Sequence, residues 1–163
     1  MILLGLGGNL PSSAGPPVAT LEAALAQLEA SGARIVARSR WFRTAPVPPS
    51  DQAWFVNAVA RLETTLEPME LLALLQKIER AFGRRRAVRN EARPLDLDLL
   101  DYDGRILDAP GLVLPHPRLH LRAFVLLPLQ DVAPGWRHPV LGETVSELIA
   151  MLPADQVAAP LAP

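Results

Sequence analysis

Two aspartates separated by one residue, Asp96 and Asp98, are the side chains in this sequence best placed to do chemistry. On a β-strand, residues i and i+2 point to the same face and lie about 6.5–7 Å apart. The two carboxylates would therefore stand side by side, while the alternating Leu95, Leu97 and Leu99 pack into a core. Carboxylates placed in this way can hold one divalent cation, or a pair roughly 3.5–4 Å apart as in two-metal phosphoryl chemistry.

An arginine-rich segment comes directly before these aspartates, with five arginines between positions 84 and 93. Guanidinium groups neutralise and orient the oxygens of phosphate groups. Taken alone, such a run is typical of a solvated loop, and aspartates on a strand are typical of an edge that resists aggregation. Asp is a poor strand former, however, so two of them on one face of a leucine-rich strand require a reason. The adjacency of the two features favours a nucleotide-using enzyme.

The composition limits the class of protein. A length of 163 residues, 50% of them hydrophobic, predicts one domain with a buried core. The formal net charge of −1 argues against a generally basic protein that binds nucleic acid. The sequence has no cysteine, which excludes disulfides, thiolate zinc sites and cysteine nucleophiles. It has no signal-peptide pattern and no apolar run approaching ~20 residues, so we expect a cytoplasmic protein.

The elements that must position these residues alternate between strands and helices. Apolar or alternating runs predict four strands, at 1–6, 33–42, 54–64 and 95–102. Leucines at helical spacing predict helices that start near Pro17 and Pro68, and a last helix over 143–152. The pair Asp103-Gly104 predicts a hairpin turn, with a short returning strand at 105–107. This order predicts a mixed sheet with helices on its faces, and an Ala/Pro-rich tail that frays beyond residue 153.

Four groups of residues occur in a fixed order along the first 125 positions. They are Gly5-Leu6-Gly7-Gly8-Asn9-Leu10; Arg43-Thr44-Ala45-Pro46 with Asp51-Gln52 and Asn57; Gly83-Arg84-Arg85-Arg86 with Arg93-Pro94-Leu95-Asp96-Leu97-Asp98; and Leu114-Pro115-His116-Pro117 with Arg122-Ala123-Phe124-Val125. Each group alone is a weak signal. Together, and in register, they resemble the 6-hydroxymethyl-7,8-dihydropterin pyrophosphokinase family of the folate pathway, over residues 1 to about 150.

This resemblance implies an enzyme that moves diphosphate from ATP to the hydroxymethyl group of a reduced pterin and releases AMP. It implies an α+β, ferredoxin-like fold for residues 1–153, with a mixed or antiparallel sheet and helices on its faces in three layers, α-β-α. The implied partners are ATP and the pterin, bound by a monomer that binds neither nucleic acid nor membrane.

The resemblance also implies a role for individual residues. Two Mg²⁺ ions would be bound by Asp96 and Asp98. The catalytic and phosphate-binding groups would be Arg84, Arg86, Arg93, His116 and Arg122, with Gln76 and Glu79 near the adenosine. The pterin pocket would comprise Thr44, Ala45, Val47, Phe55, Asn57 and Phe124, with the ring between the two aromatic side chains.

The sequence departs from the family pattern at several places that bear on the site, among them Gly111 and Val113, where some members place nucleotide-contacting residues. Gly8 stands where the family often has serine, and the arginine segment lacks the tryptophan that some members carry, with Asn90 falling nearest. Two other functions remain open. An RNA-binding module on a similar sheet would need exposed aromatic side chains, and only eight aromatic residues occur. A different phosphoryl or nucleotidyl enzyme could use the same pair of aspartates.

Overall fold

The computed structural model describes residues 1–83 and 92–161. The strands and helices within these residues are, in chain order, β1 (Ile2–Gly8), α1 (Pro17–Ala30), β2 (Arg34–Arg38), β3 (Phe42–Thr44), β4 (Phe55–Glu63), α2 (Pro68–Ala81), β5 (Asp96–Tyr102), β6 (Leu107–Ala109), β7 (Leu112–Leu114), a 3₁₀ turn (Leu119–Leu121), α3 (Ala123–Val132), α4 (Val145–Ala150) and β8 (Ala158–Pro160). No helix in this part of the chain is both long enough and apolar enough to cross a membrane.

The main sheet has six strands, in the order β5-β1-β4-β3-β8, with β2 also paired to β4. Each of these pairs is antiparallel. Strand β1 lies between β4 and β5, and its Gly7 is directly opposite Asn57 on one side and Asp96 on the other. Because residues opposite each other in a sheet share a face, this register brings the two polar side chains to the same face, on either side of a glycine.

Both faces of the sheet are covered, which gives three layers. On one face Leu4, Leu6, Leu97 and Leu99 pack into a core that includes residues of α1 and α2. On the other face Leu3, Val59 and Leu100 pack with residues of α3 and α4. The expected α+β fold with an α-β-α arrangement is confirmed, and so is the core position of the leucines that alternate with Asp96 and Asp98. The aspartates therefore lie on the face that α3 covers.

The structure differs from the sequence-based prediction on the short strands. The predicted strand at 33–42 is two strands, β2 and β3, and the predicted return of the chain along β5 at 105–107 is wrong. The turn at Asp103-Gly104 is present, with φ of 54° and 71°, but β6 pairs with β7 instead. Part of the open edge of β5 is already occupied, because the buried carboxylate of Glu79 accepts a hydrogen bond from the Leu97 backbone N–H at 2.9 Å.

The C-terminal segment is also more ordered than a frayed tail. Strand β8 pairs with β3, with Thr44 opposite Ala158 and Phe42 opposite Pro160. The Leu161 N–H extends this pairing by donating to the Trp41 carbonyl at 2.9 Å. An Ala/Pro composition carries no strand signal, so the pairing depends on the open edge of β3, which the tail covers.

Candidate active site

A cavity of about 300 Å³ opens at the ends of β1, β4 and β5, on the face that α3 covers. Eleven of the residues predicted for the site line it: Thr44, Ala45, Val47, Phe55, Asn57, Arg93, Asp96, Asp98, His116, Arg122 and Phe124. Gly7, Pro46, Gln52, Pro117 and Arg118 complete the lining. Segments far apart in the sequence thus meet at one place, with an apolar and amide part near β4 and a charged part near β5.

Gly7 lies between the amide part and the charged part of this lining, because its register places it between Asn57 and Asp96. A Cβ atom on Gly7 would lie 2.5 Å from Asn57 Nδ2, which is closer than real Cβ contacts. The absence of a side chain at Gly7 therefore leaves the Asn57 amide in place and open to the cavity.

The Asn57 side chain is held in one orientation. It is buried, with 8% of its surface exposed, and its Oδ1 accepts a hydrogen bond from Thr44 Oγ1 at 2.5 Å. Its Nδ2 lies 3.4 Å from the Leu6 carbonyl oxygen, to which it donates. An amide has one acceptor and one donor group, so a fixed Asn can pair with the complementary edge of a flat heterocycle.

Asp96 and Asp98 both face the cavity from β5, as the i, i+2 spacing predicts. The Arg93 guanidinium lies 3.5 Å from the Asp96 carboxylate, and both side chains are mostly buried. No cluster of three or more His, Cys, Asp or Glu side chains suited to a metal occurs in residues 1–83 and 92–161. A cation bound by this pair would therefore take its remaining ligands from water and from phosphate oxygens, which is how Mg²⁺ is commonly held with nucleotides.

His116 faces the cavity as a neutral ring. Its Nδ1 accepts a hydrogen bond from the Arg118 backbone N–H at 3.1 Å, so the ring proton is on Nε2, where it can be donated to a phosphate oxygen. Burial, together with the positive charge of Arg122, lowers the pKa of His116 from its ordinary 6.5 to about 4, against a smaller opposing effect of Asp96. Near neutral pH the ring therefore contributes a hydrogen-bond donor and no charge.

This pKa predicts how acid destabilises the protein. Above pH 6.5 the ring is neutral in both the folded and the unfolded chain; as the pH falls toward 4, the unfolded chain binds a proton that the folded chain resists. The free energy of unfolding should then drop by on the order of 2 kcal/mol more in the unchanged protein than in a His116→Asn variant. Urea titrations between pH 7.5 and 4, without nucleotide or metal, would measure this; parallel curves for the two proteins would contradict it.

Asn9 joins two segments of the site, although the sequence predicted no role for its side chain. Its Oδ1 accepts from the Arg93 N–H at 2.8 Å, and its own N–H donates to the Arg93 carbonyl at 3.0 Å. Its Nδ2 donates to Gln52 Oε1 and to the Ala53 carbonyl, both at 2.9 Å. The residue after the glycine turn thus ties the arginine segment to the loop that follows β3. A polar side chain at the end of a buried strand was the signal that could have suggested it.

The glycine at position 8 has a steric reason. A Cβ atom there would lie 2.3 Å from the Pro94 carbonyl oxygen, a backbone atom that cannot give way as a side chain can. The segment around Pro94 approaches β1 so closely that position 8 has no room for the serine that stands there in many sequences of the family pattern.

Two of the predicted site residues do not line the cavity, and two others cannot be placed relative to it. Gln76 and Glu79 on α2 stand outside its lining, and the Glu79 carboxylate bonds the backbone of β5 between the two aspartates. Arg84 and Arg86 lie outside the described residues. Conversely, five residues line the cavity without having been predicted for it: Gly7, Pro46, Gln52, Pro117 and Arg118.

Comparison with known proteins identifies the family. The model of the 7,8-dihydro-6-hydroxymethylpterin-pyrophosphokinase (HPPK) family matches residues 3–134. A 2-amino-4-hydroxy-6-hydroxymethyldihydropteridine pyrophosphokinase from Methylorubrum extorquens is 43% identical over 150 residues, which are 91% of this chain and 91% of that protein. The protein of the same name from Pseudomonas aeruginosa is 41% identical over 157 residues, covering 96% of this chain and 94% of its own.

Solved structures agree on the fold. The structure of wild-type Plasmodium falciparum HPPK-DHPS with pteroate matches 91% of this chain with a TM-score of 0.73, at 16% identity. This chain spans 43% of that longer chain, and at such low identity the likeness concerns the fold alone. The family match and the two close relatives each cover most of the sequence. The chain therefore belongs to the 7,8-dihydro-6-hydroxymethylpterin-pyrophosphokinase family.

Proposed function

We propose that the cavity around Gly7 is the active site in which this chain carries out the reaction of its family. That reaction transfers diphosphate from ATP to the hydroxymethyl group of 6-hydroxymethyl-7,8-dihydropterin, in folate synthesis, and releases AMP. The observation that carries the assignment is the sheet register that brings Asn57 and Asp96 to the same face, on either side of a glycine. The amide that would read the heterocycle is on β4, and the carboxylate that would bind metal is on β5. These two strands flank β1.

The pterin would bind at the β4 side of the cavity. The fixed amide of Asn57 would pair with the polar edge of the ring, and Thr44, Ala45 and Val47 would surround it. The aromatic side chains of Phe55 and Phe124 would stack on its faces. One chain supplies all of these residues, which supports a monomeric enzyme.

The triphosphate of ATP would bind at the β5 side. Arg93, Arg122 and neutral His116 would donate hydrogen bonds to its oxygens, while Asp96 and Asp98 would hold Mg²⁺, with two ions proposed. When bound, the metal neutralises phosphate charge. Roles for Arg84 and Arg86 at the phosphates, and for Gln76 and Glu79 near the adenosine, remain predictions from the resemblance.

The chemistry proposed for these residues is positioning. The hydroxyl of the pterin attacks the β-phosphorus of ATP in line with the bond to the leaving AMP. Phosphoryl transfers of this kind need alignment and charge neutralisation more than a strong protein base, and the neutral His116 fits that requirement. The amide side of the cavity fixes the nucleophile, and the cationic side fixes the group that it attacks.

Product analysis tests this function directly. Incubation with ATP, Mg²⁺ and 6-hydroxymethyl-7,8-dihydropterin should yield AMP and the pterin diphosphate in equal amounts, as separated by ion-exchange chromatography. The matched control is 6-methyl-7,8-dihydropterin, which has the same ring without the hydroxyl and should yield no AMP. ADP as the product would indicate a different phosphoryl enzyme. AMP formed equally with the methyl compound would indicate hydrolysis of ATP.

A further inference from the structure

The C-terminal segment from Gln156 to Leu161 contacts both walls of the proposed pterin pocket. We propose that Gln156 is a positioning residue for the pterin, acting through the backbone on either side of Arg122. This inference rests on the proposed function. Gln156 lies outside the cavity, and its role follows from the roles proposed for the cavity residues that it helps to position.

The first contact is with the wall formed by the start of α3. Gln156 Oε1 accepts a hydrogen bond from the Ala123 N–H at 2.8 Å, and its Nε2 donates to the Leu121 carbonyl at 2.8 Å. One side-chain amide thus pairs with the backbone groups immediately before and after Arg122, as a strand residue would pair with its neighbour.

The bond to the Ala123 N–H satisfies a group that the helix itself leaves open. The first N–H groups of an α-helix have no partner within it, and Arg122, at the N-cap of α3, makes no side-chain capping bond. Gln156 therefore serves as a cap from 33 residues away. Because the backbone of Arg122 is extended, with φ −123° and ψ 116°, the fixed groups on each side determine where its side chain starts.

The positions of Arg122 and Phe124 are linked to each other as well. The Arg122 guanidinium lies over the Phe124 ring, 5.2 Å from its centroid. A displacement of the backbone at this point would therefore move both the proposed phosphate ligand and the proposed stacking ring.

The second contact is with the opposite wall. The Val157 carbonyl, one residue beyond Gln156, accepts a hydrogen bond from the Ala45 N–H at 3.0 Å. Beyond it, β8 pairs with β3 up to Phe42. Two consecutive residues of the tail thus fix the start of α3 and the end of β3, which carry Phe124 on one side and Thr44 and Ala45 on the other.

The effect should fall mainly on pterin binding. The bonds of Gln156 hold the segment that carries Phe124, and the Val157 bond holds the segment that carries Thr44 and Ala45. The triphosphate, in contrast, has further ligands in Arg93, His116 and the aspartates. Gln156→Leu, which keeps the size of the side chain and removes both hydrogen bonds, should raise the KM for the pterin about tenfold. The KM for ATP and kcat should change less than about threefold.

Three further variants make the test specific. Gln156→Glu keeps an acceptor for the Ala123 N–H but loses the donor to Leu121, so its pterin KM should lie between those of the unchanged protein and Gln156→Leu. A chain ending at Asp155 lacks both wall contacts and should show a larger rise in pterin KM than Gln156→Leu. Asp155→Asn, at the exposed neighbouring position, is the control and should behave as the unchanged protein.

A second readout does not depend on turnover. The Ala123 amide proton should exchange with solvent at least about tenfold faster in Gln156→Leu than in the unchanged protein, while amides within β1 and β4 exchange equally in both. A pterin KM within twofold of the unchanged value, or an equal rise in both KM values with a general loss of thermal stability, would overturn the inference. Absence of AMP formation by the unchanged protein would instead overturn the proposed function, and this inference with it.

Discussion

Asp96→Ala is expected to lower kcat/KM for AMP formation by at least about 10³-fold while the protein stays folded. The reason is that the pair of carboxylates supplies the protein ligands proposed for Mg²⁺, and loss of metal-dependent charge neutralisation in phosphoryl transfer amounts to several kcal/mol. The substitution also removes the mostly buried ion pair with Arg93 at 3.5 Å, so we expect some loss of stability, and thermal unfolding should show that the variant is folded at the assay temperature.

Asp98→Ala should give a similar loss, and Asp108→Ala is the matched control. Asp108 is an exposed aspartate on β6, in the separate two-stranded sheet. Thermal unfolding with and without Mg²⁺ and ATP adds a binding readout: the nucleotide with its metal should raise the Tm of the unchanged protein and of Asp108→Ala, but not that of Asp96→Ala. If Asp96→Ala kept more than a tenth of the activity, the metal role proposed for β5 would be wrong.

The sequence predicted the parts of the site that depend on local periodicity. The i, i+2 spacing of Asp96 and Asp98 and the alternation along β4 gave the faces on which these aspartates and Asn57 lie, because strand geometry fixes side-chain direction once the strand is known. Helices α1 and α2 were predicted from the helical spacing of their leucines and from the prolines at which they begin, which are also local signals. Other predicted residues that line the cavity, such as Val47, His116 and Arg122, came from the family resemblance and not from periodicity.

What the sequence could not predict depends on pairing between distant segments. The bonds of Asn9 to Arg93, Gln52 and Ala53 join three separate parts of the chain. Strand β8 forms because β3 offers an open edge for it to pair with. Residues 105–107 do not pair with β5, in part because the Glu79 carboxylate from α2 already bonds the Leu97 N–H. None of these contacts has a periodic signature, because each is decided by which edges and backbone groups remain open after the sheet forms.

The cavity lies where the large apolar side chains on this face of the sheet end. The centre of the sheet face is filled by Leu3, Val59 and Leu100 under α3 and α4. Further along this face, the large side chains give way to Gly5 and Gly7 on β1, to Asn57 on β4 and to the aspartates on β5. The helix layer ends there too, with the start of α3 at Arg122 and Phe124. The site is thus the continuation of the core at the point where its apolar packing stops.

Gly7→Ala is expected to raise the KM for the pterin about 100-fold, with a loss of stability of about 1–3 kcal/mol as the buried Asn57 amide leaves its hydrogen bonds. The added Cβ would lie 2.5 Å from Asn57 Nδ2, so the amide must rotate away from the orientation that its bond with Thr44 fixes. The atom that must move is the end of a side chain, and the next closest contact is 3.5 Å, so the fold can absorb the change. Loss of the paired hydrogen bonds to the ring, together with a methyl group in the pocket, accounts for the magnitude.

Gly5→Ala is the control, since the atoms nearest to its Cβ would belong to the Leu100 side chain, at an ordinary 3.5 Å. Its kinetic constants should stay within about twofold of the unchanged values. A double-mutant cycle with Asn57→Ala then separates a specific mechanism from a general one. If the methyl group acts by displacing the amide, Gly7→Ala should add little once Asn57 is already truncated, and the two effects will be strongly non-additive. Additive effects would mean that Gly7 matters only for the space it leaves, and that Asn57 is not the group through which β1 controls pterin binding.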